Sequence, residues 1–234
     1  MPRRQGQAGV PRASQAAAGY QQIHRFAFVQ QLMRKSYMLE SAALDTFEQL
    51  TGHRNEEDFR ALLAEQNREM DTLGLQLRSM RYLPDNQTYV GIINTMSDEP
   101  SKLATHYSIG QREYFKHVLE AIAVDPDAQA GVGSASGMQL LNMDLSRRAA
   151  AGAQQQEDEA AAAAQAAAVA ALRKLTKGEK EQTLKQLVAD GWLRHSTARS
   201  GHYCIGVRSF LELSDMLLEF DLPAATKQAW ENII

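Results

Sequence analysis

The chain carries one cysteine, Cys204, among 234 residues. A lone thiol excludes an internal disulfide framework, and nothing marks a secretory compartment. Positive charge is not in excess: 25 Lys and Arg stand against 28 Asp and Glu, a net charge of −3. Coating of nucleic acid by charge alone is therefore excluded, and any DNA contact has to be a local patch. No apolar run approaches the ~18 residues that span a bilayer. The composition reads as that of a soluble intracellular protein with no membrane partner, long enough for two small domains.

Catalytic constellations are equally scarce. A nucleophile needs an adjacent base and an orienting partner, and Cys204 sits in a predicted strand, where packing is its expected role. The six histidines (His24, His53, His106, His117, His195, His202) form no close ligand pair with one another or with Cys204. Such pairs are what metal sites announce. His195 and His202 are placed to face each other across a hairpin, but two imidazoles do not complete a tetrahedral site. No phosphate-cradling glycine loop is present. Neither a catalytic residue, a cofactor, a metal nor a small-molecule substrate is expected.

What the sequence does contain is a repeated order of elements. Residues 1–19 carry Arg3, Arg4 and Arg12 without an acid; they are expected to form a disordered tail, with an organelle transit peptide as the alternative. Ile23, Phe26, Val29 and Met33 fall three or four apart and so line one helical face. Ser41 is placed to cap a second helix that Gly52 stops, and Asn55 before Glu56-Glu57-Asp58 is a strong start for a third. That third helix turns Phe59, Leu62, Leu63, Met70 and Leu73 inward. Leu75, Leu77 and Ser79 then alternate with Gln76, Arg78 and Met80, Pro84–Gln87 makes a turn, and Tyr89–Asn94 is β-rich, so the pair predicts a hairpin. A helix over about Gln111–Ala123 follows, with Tyr114, Phe115, Val118, Leu119 and Ile122 inside.

Val124–Gly137, rich in Asp, Pro, Gly, Ala and Ser, reads as a linker. Met138–Leu145 is expected to begin a second domain. Residues 147–171 are low-complexity Ala/Gln with little to bury, an inserted arm. Thr176-Lys177-Gly178-Glu179 is a capping box, and its helix carries Leu184, Leu187 and Val188 to a stop at Gly191. Trp192–Arg194 and Tyr203–Ile205 flank a polar loop as a second hairpin, and a final helix carries Phe210, Leu213, Leu217 and Leu218. The order helix, strand, turn, strand, helix occurs twice. The fold class is therefore α+β, mainly α: tandem winged helices over residues 20–123 and 138–222, a linker at 124–137, and a terminal segment at 223–234.

Two surfaces stand out as binding candidates. Between Leu172 and Arg208 eight cations face three acids, locally +5. Lys174, Lys177, Lys180, Lys185, Arg194 and Arg199 are the candidate DNA contacts, since a winged helix sets a helix in the major groove and its wing on phosphates. A solvated face of alternating Lys and Glu is the competing explanation, and any such contact would be weak and salt-sensitive. Tyr107, Ile109, Tyr114 and Trp230 are the candidate partner contacts, against the alternative that they cap their own domain.

Several stretches together resemble one family. His24-Arg25-Phe26 with Gln30–Met33, Tyr89–Asn94 with Ser101–Thr105, Phe115–Ile122, and Glu181–Leu184 leading to Gly191-Trp192-Leu193 are similar to the non-structural maintenance of chromosomes element 1 family. The resemblance implies a nuclear subunit of the SMC complex that serves DNA repair and recombination, the one distinct from cohesin and condensin. It implies two winged helices, a MAGE-domain partner and a kleisin. It also implies a variant RING that binds zinc and supports ubiquitin ligation. A RING needs about eight Cys/His ligands, and this chain has none after Cys204, running to Ile234, about where the first RING cysteine is expected. Ligase activity thus belongs to the family rather than to these residues. The first expectation is a docking scaffold; the alternative of the same fold is a DNA-binding transcription regulator, for which Leu184-Lys185-Gln186-Leu187 is only mildly basic.

Overall fold

In a computed structural model the chain is mainly helical with two small sheets, and residues 22–96, 106–129, 131–143, 170–172 and 175–233 are described. The expected tail at 1–19, the turn at Ser101–Thr105 and nearly all of the Ala/Gln stretch lie outside those residues. The chain divides into two compact units: residues 1–78 with 90–95, and residues 79–89 with 96–234.

The first unit opens with α1 (Gln22–Lys35), β1 (Tyr37–Leu39), α2 (Glu40–Thr51) and α3 (Glu56–Met70). Phe28 and Leu32 of α1, Phe47 of α2, Phe59 and Leu62 of α3, and Leu77 and Val90 form its buried cluster. Phe59 meets Phe28 and Phe47 edge to face at 5.8 and 5.7 Å, contacts worth about 0.5–1.5 kcal/mol each beyond burial. Arg25 ties α1 to α3 through Glu65 at 2.5 Å and Glu69 at 3.0 Å. Phe28 and Leu32 turn inward on α1, whereas Ile23, Phe26 and Met33 of the face marked by spacing point to solvent.

Asn55 caps α3 as expected, its side chain accepting from the amides of Glu57 and Asp58. Gly52 ends α2 in the left-handed region. Ser41 does not cap α2; the helix starts one residue earlier, with Leu39 at the cap and no side-chain hydrogen bond there. Leu73 lies exposed on a single 3-10 turn beyond α3.

The first hairpin, β2 (Leu75–Tyr82) and β3 (Gln87–Asn94), is present, and β1 adds to its β3 side. Its outer part, residues 79–89, groups with the second unit. The strict alternation expected of β2 fails for that reason. Leu77 is buried in the first unit's cluster, whereas Met80 and Tyr82, of opposite parity, are buried further out.

The second unit contains α4 (Ile109–Ala123), β4 (Ala135–Ser136), α5 (Gly137–Leu141), α6 (Lys177–Ala189), β5 (Leu193–His195), β6 (His202–Ile205), α7 (Val207–Glu212), α8 (Ser214–Leu218) and α9 (Ala224–Glu231). Two capping boxes start its long helices, Ser108 with Gln111 on α4 and Thr176 with Glu179 on α6. By compactness α4 groups here rather than with the first hairpin: Phe115 meets Trp192 at 5.8 Å, Tyr114 donates to the Leu140 carbonyl, and Gln111 donates to Thr183.

The expected linker is ordered structure. β4 joins β6 antiparallel in a sheet of order β4-β6-β5. Before it, Asp125 accepts from the amides of Asp127 and Ser134. Gly131 has φ +81°, and a Cβ on Gly133 would sit 2.1 Å from the Ile122 carbonyl oxygen. Those glycines serve a tight loop and a close approach, not flexibility. The expected final helix is two, broken at Leu213, and α9 follows where only an unassigned segment was expected.

Candidate interaction surface

The cations between Leu172 and Arg208 are folded largely against carboxylates of the same unit. Arg194 donates to Asp85 at 2.6 Å and lies 5.6 Å over the Tyr82 ring. Arg199 stands 3.7 Å from both Asp125 and Asp127. Lys185 pairs with Glu181 one turn back at 2.7 Å. Lys180 is buried on the inner face of α6, its ammonium 5.6 Å over Tyr114 and donating to the Met143 carbonyl at 3.3 Å. Lys177 is exposed in the first turn of α6, and Lys174 lies outside the described residues. Lys180, Lys185, Arg194 and Arg199, four of the six candidate DNA contacts, are therefore engaged internally. A count over a local window misses this because Asp85 lies 109 residues before Arg194.

Arg194 and Arg199 line a groove of about 530 Å³ with Leu83, Pro84, Asp127, Val132 and the loop after β5. Asp85 and Asp127 also line it, so its charges balance rather than making an anion hole. Partial burial pushes the Asp85 carboxyl up. The Arg194 guanidinium, the Tyr89 hydroxyl and the Gln87 amide outweigh that and hold it below its usual range. A depressed carboxylate stabilises the fold above its unfolded-state pKa and loses that contribution as pH falls through the folded one. Asp85→Asn is accordingly expected to cost about 0.5–1 kcal/mol at pH 7, discounted because Arg194 is partly exposed. The cost should vanish near pH 2; urea midpoints at both pH values check it, and an equal loss at both would refute the ion pair's role.

The groove offers no nucleophile. Cys204, which also lines it, is buried, its thiol donates to the Arg194 carbonyl at 3.5 Å, and burial pushes its pKa up against the Tyr82 hydroxyl and Arg194. A thiol raised in this way is unreactive at neutral pH. Tyr82, also pushed up by burial, donates to the Ile205 carbonyl at 2.7 Å. His195 and His202 do not face each other: the strand register sets His195 opposite Tyr203, ring centroids 5.0 Å apart. Among the described residues no three His, Cys, Asp or Glu side chains converge as metal ligands do, so the residues here do not fit the zinc that a RING would hold.

Three of the four candidate partner contacts sit in the core. Tyr107 is buried and donates to Asp190 at 2.6 Å, an acceptor it shares with His106. Tyr114 is fully buried. Trp230 is 1% exposed and donates from Nε1 to the Gly131 carbonyl at 2.7 Å. Each aromatic satisfies its polar atom inside the unit, the arrangement of side chains that cap their own domain. Ile109 alone of the four stays half-exposed. Among the large apolar side chains that do reach solvent are Ile23, Phe26 and Met33, on a helix that carries two stripes of helical spacing.

A family model described as "Nse1 non-SMC component of SMC5-6 complex" matches residues 24–213. A non-structural maintenance of chromosomes element 1 homolog of Xenopus tropicalis is 25% identical over 166 residues, 71% of this chain and 49% of that protein. Its Xenopus laevis counterpart is 24% identical over 161 residues, 69% of this chain and 47% of that one. The chain thus spans about half the length of these curated relatives. Among solved structures, a chain of an "Nse1-Nse3-Nse4 complex" shares the fold with a TM-score of 0.62 at 21% identity, over 84% of this chain and 73% of its own. The match over 24–213 takes in most of both units, and the chain belongs to the family of Nse1 non-SMC components of the SMC5-6 complex.

Proposed function

We propose that the chain is a structural and interaction subunit of the SMC complex that serves DNA repair and recombination, working in the nucleus. In this reading it docks on a MAGE-domain partner with a kleisin, and the solved structure that shares its fold is itself a chain of an Nse1-Nse3-Nse4 complex. Its two helix-and-hairpin units are tandem winged helices used as docking modules, the Ala/Gln stretch an insertion in the second. The observation that carries the reading is the family match across residues 24–213. The internal engagement of Arg194, Arg199, Lys180 and Lys185 supports it, since a DNA reader would present those cations to phosphate. The transcription-regulator alternative draws no support from the match. Direct ubiquitin ligation is not part of this reading; among the described residues no zinc ligand set converges.

The test sets partner binding against DNA binding. Calorimetry with the purified MAGE-domain subunit is expected to give a Kd below about 1 μM, near −8 kcal/mol. DNA-shift assays over a salt series are expected to give only the ~10⁻⁴ to 10⁻⁶ M affinity of non-specific binding, falling steeply with salt. Tight, sequence-dependent DNA binding without partner binding would refute the scaffold.

A further inference from the structure

α1 is apolar on two opposite sides. Phe28 and Leu32 face the first unit's cluster, and Arg25 bridges to Glu65 and Glu69 of α3. On the other side Ile23, Phe26 and Met33 are 66%, 52% and 56% exposed. Successive residues of an α-helix step by 100°, so positions 23, 26 and 33 fall within one narrow stripe, roughly a quarter of the circumference. Scattered exposed apolar residues need no explanation, but a row of three large ones on one fixed helix face marks a contact surface. The helix has His24, Arg25, Arg34 and Lys35 and not one acid. Arg34 and Lys35 are exposed in its last turn, and Arg34 borders the stripe. The null explanation for those two cations is the helix dipole, which favours positive charge at this end; it explains neither the missing acids nor the exposed phenyl ring.

We infer that the outer face of α1, Ile23, Phe26 and Met33 flanked by Arg34, is a docking surface for a partner-protein helix whose apolar stripe is bordered by carboxylates. Charge complementarity chooses this occupant: Arg34 at the edge of the stripe disfavours a second copy laid against it and fits an acidic amphipathic helix. The face is already held in place by Phe28, Leu32 and Arg25, so docking requires little ordering of the helix. The inference deepens the reading of the chain as a docking subunit and rests on it.

The experiment measures binding of the full chain to the separately purified Nse3 and Nse4 subunits of the same organism. The unaltered chain is compared with Phe26→Glu/Met33→Glu, with Arg34→Glu/Lys35→Glu and with the conservative Phe26→Leu. All the changes are at exposed positions, and thermal unfolding confirms that each variant folds. The glutamate pair is expected to weaken binding to one subunit at least tenfold. The charge reversal should weaken the same binding several-fold and flatten its salt dependence, and Phe26→Leu should retain it. Unchanged affinity of the glutamate pair for both subunits overturns the inference while leaving the docking subunit standing. Binding of neither subunit by the unaltered chain overturns both. A dimer that sedimentation shows dispersed by Phe26→Glu, or stripe-dependent binding to vesicles of neutral and anionic phospholipid, assigns a different occupant and overturns the inference too.

Discussion

Trp230→Ala is expected to lower stability by about 3–5 kcal/mol, the range for emptying a large aromatic site in a core. Trp230 packs edge-on against Phe210 at 5.1 Å and donates to the Gly131 carbonyl, so one side chain holds α9, α7 and the loop before β4 together. Domains of this size hold only about 5–15 kcal/mol in all, and each kcal/mol shifts Tm by about 2–4 °C. A drop in Tm of about 10 °C follows, readable by calorimetry. Trp230→Phe separates the two contributions. It keeps most of the ring contact but leaves the buried Gly131 carbonyl unpaired, for about 1–2 kcal/mol. A loss below about 1 kcal/mol for the alanine variant would show that α9 does not pack as described.

α9 also illustrates why parts of this fold were not legible in the sequence. Its inward residues are Thr226 and Trp230, too few to make a period, and its position depends on a hydrogen bond to a residue 99 positions earlier. Features closed within four residues were readable: the Asn55 cap, the Thr176–Glu179 box and the first hairpin turn need only local geometry. The inward side of α1 was not legible, because Ile23, Phe26, Val29 and Met33 satisfy helical spacing as well as Phe28 and Leu32 do. Neighbours such as Phe59, far along the chain, pack against Phe28 and set which stripe goes in. The loop at 125–134 has a linker's composition, and nothing local reveals that Ile122 stands against Gly133. The surroundings of the candidate cations were illegible for the same reason. Charge counting finds Arg194 and Arg199, but Asp85 and Asp125 reach them only through the fold.

A largely buried cation of the same segment, Arg208, gives the second large effect. Arg208 donates to Glu212 at 2.6 Å, both side chains largely buried, with its guanidinium 4.1 Å over the Trp192 ring. Burial raises the Glu212 pKa, and Arg208 offsets only part of that. For an acid whose folded pKa is raised, the stabilising contribution is full below the unfolded value and lost as pH rises through the folded one. Arg208→Ala removes the offset and strands a carboxylate. The expected cost is about 2–3 kcal/mol at pH 8, since breaking one side of a buried pair costs more than the pair contributes. Below the raised pKa Glu212 takes up a proton, and the electrostatic share of the loss disappears. A pH-independent remainder of about 0.5–2 kcal/mol persists from the lost stacking on Trp192. Arg208→Ala/Glu212→Gln should therefore show that remainder alone at every pH. Urea midpoints at pH 5 and pH 8 distinguish these outcomes, and an Arg208→Ala loss of equal size at both would rule out a stranded charge as its cause.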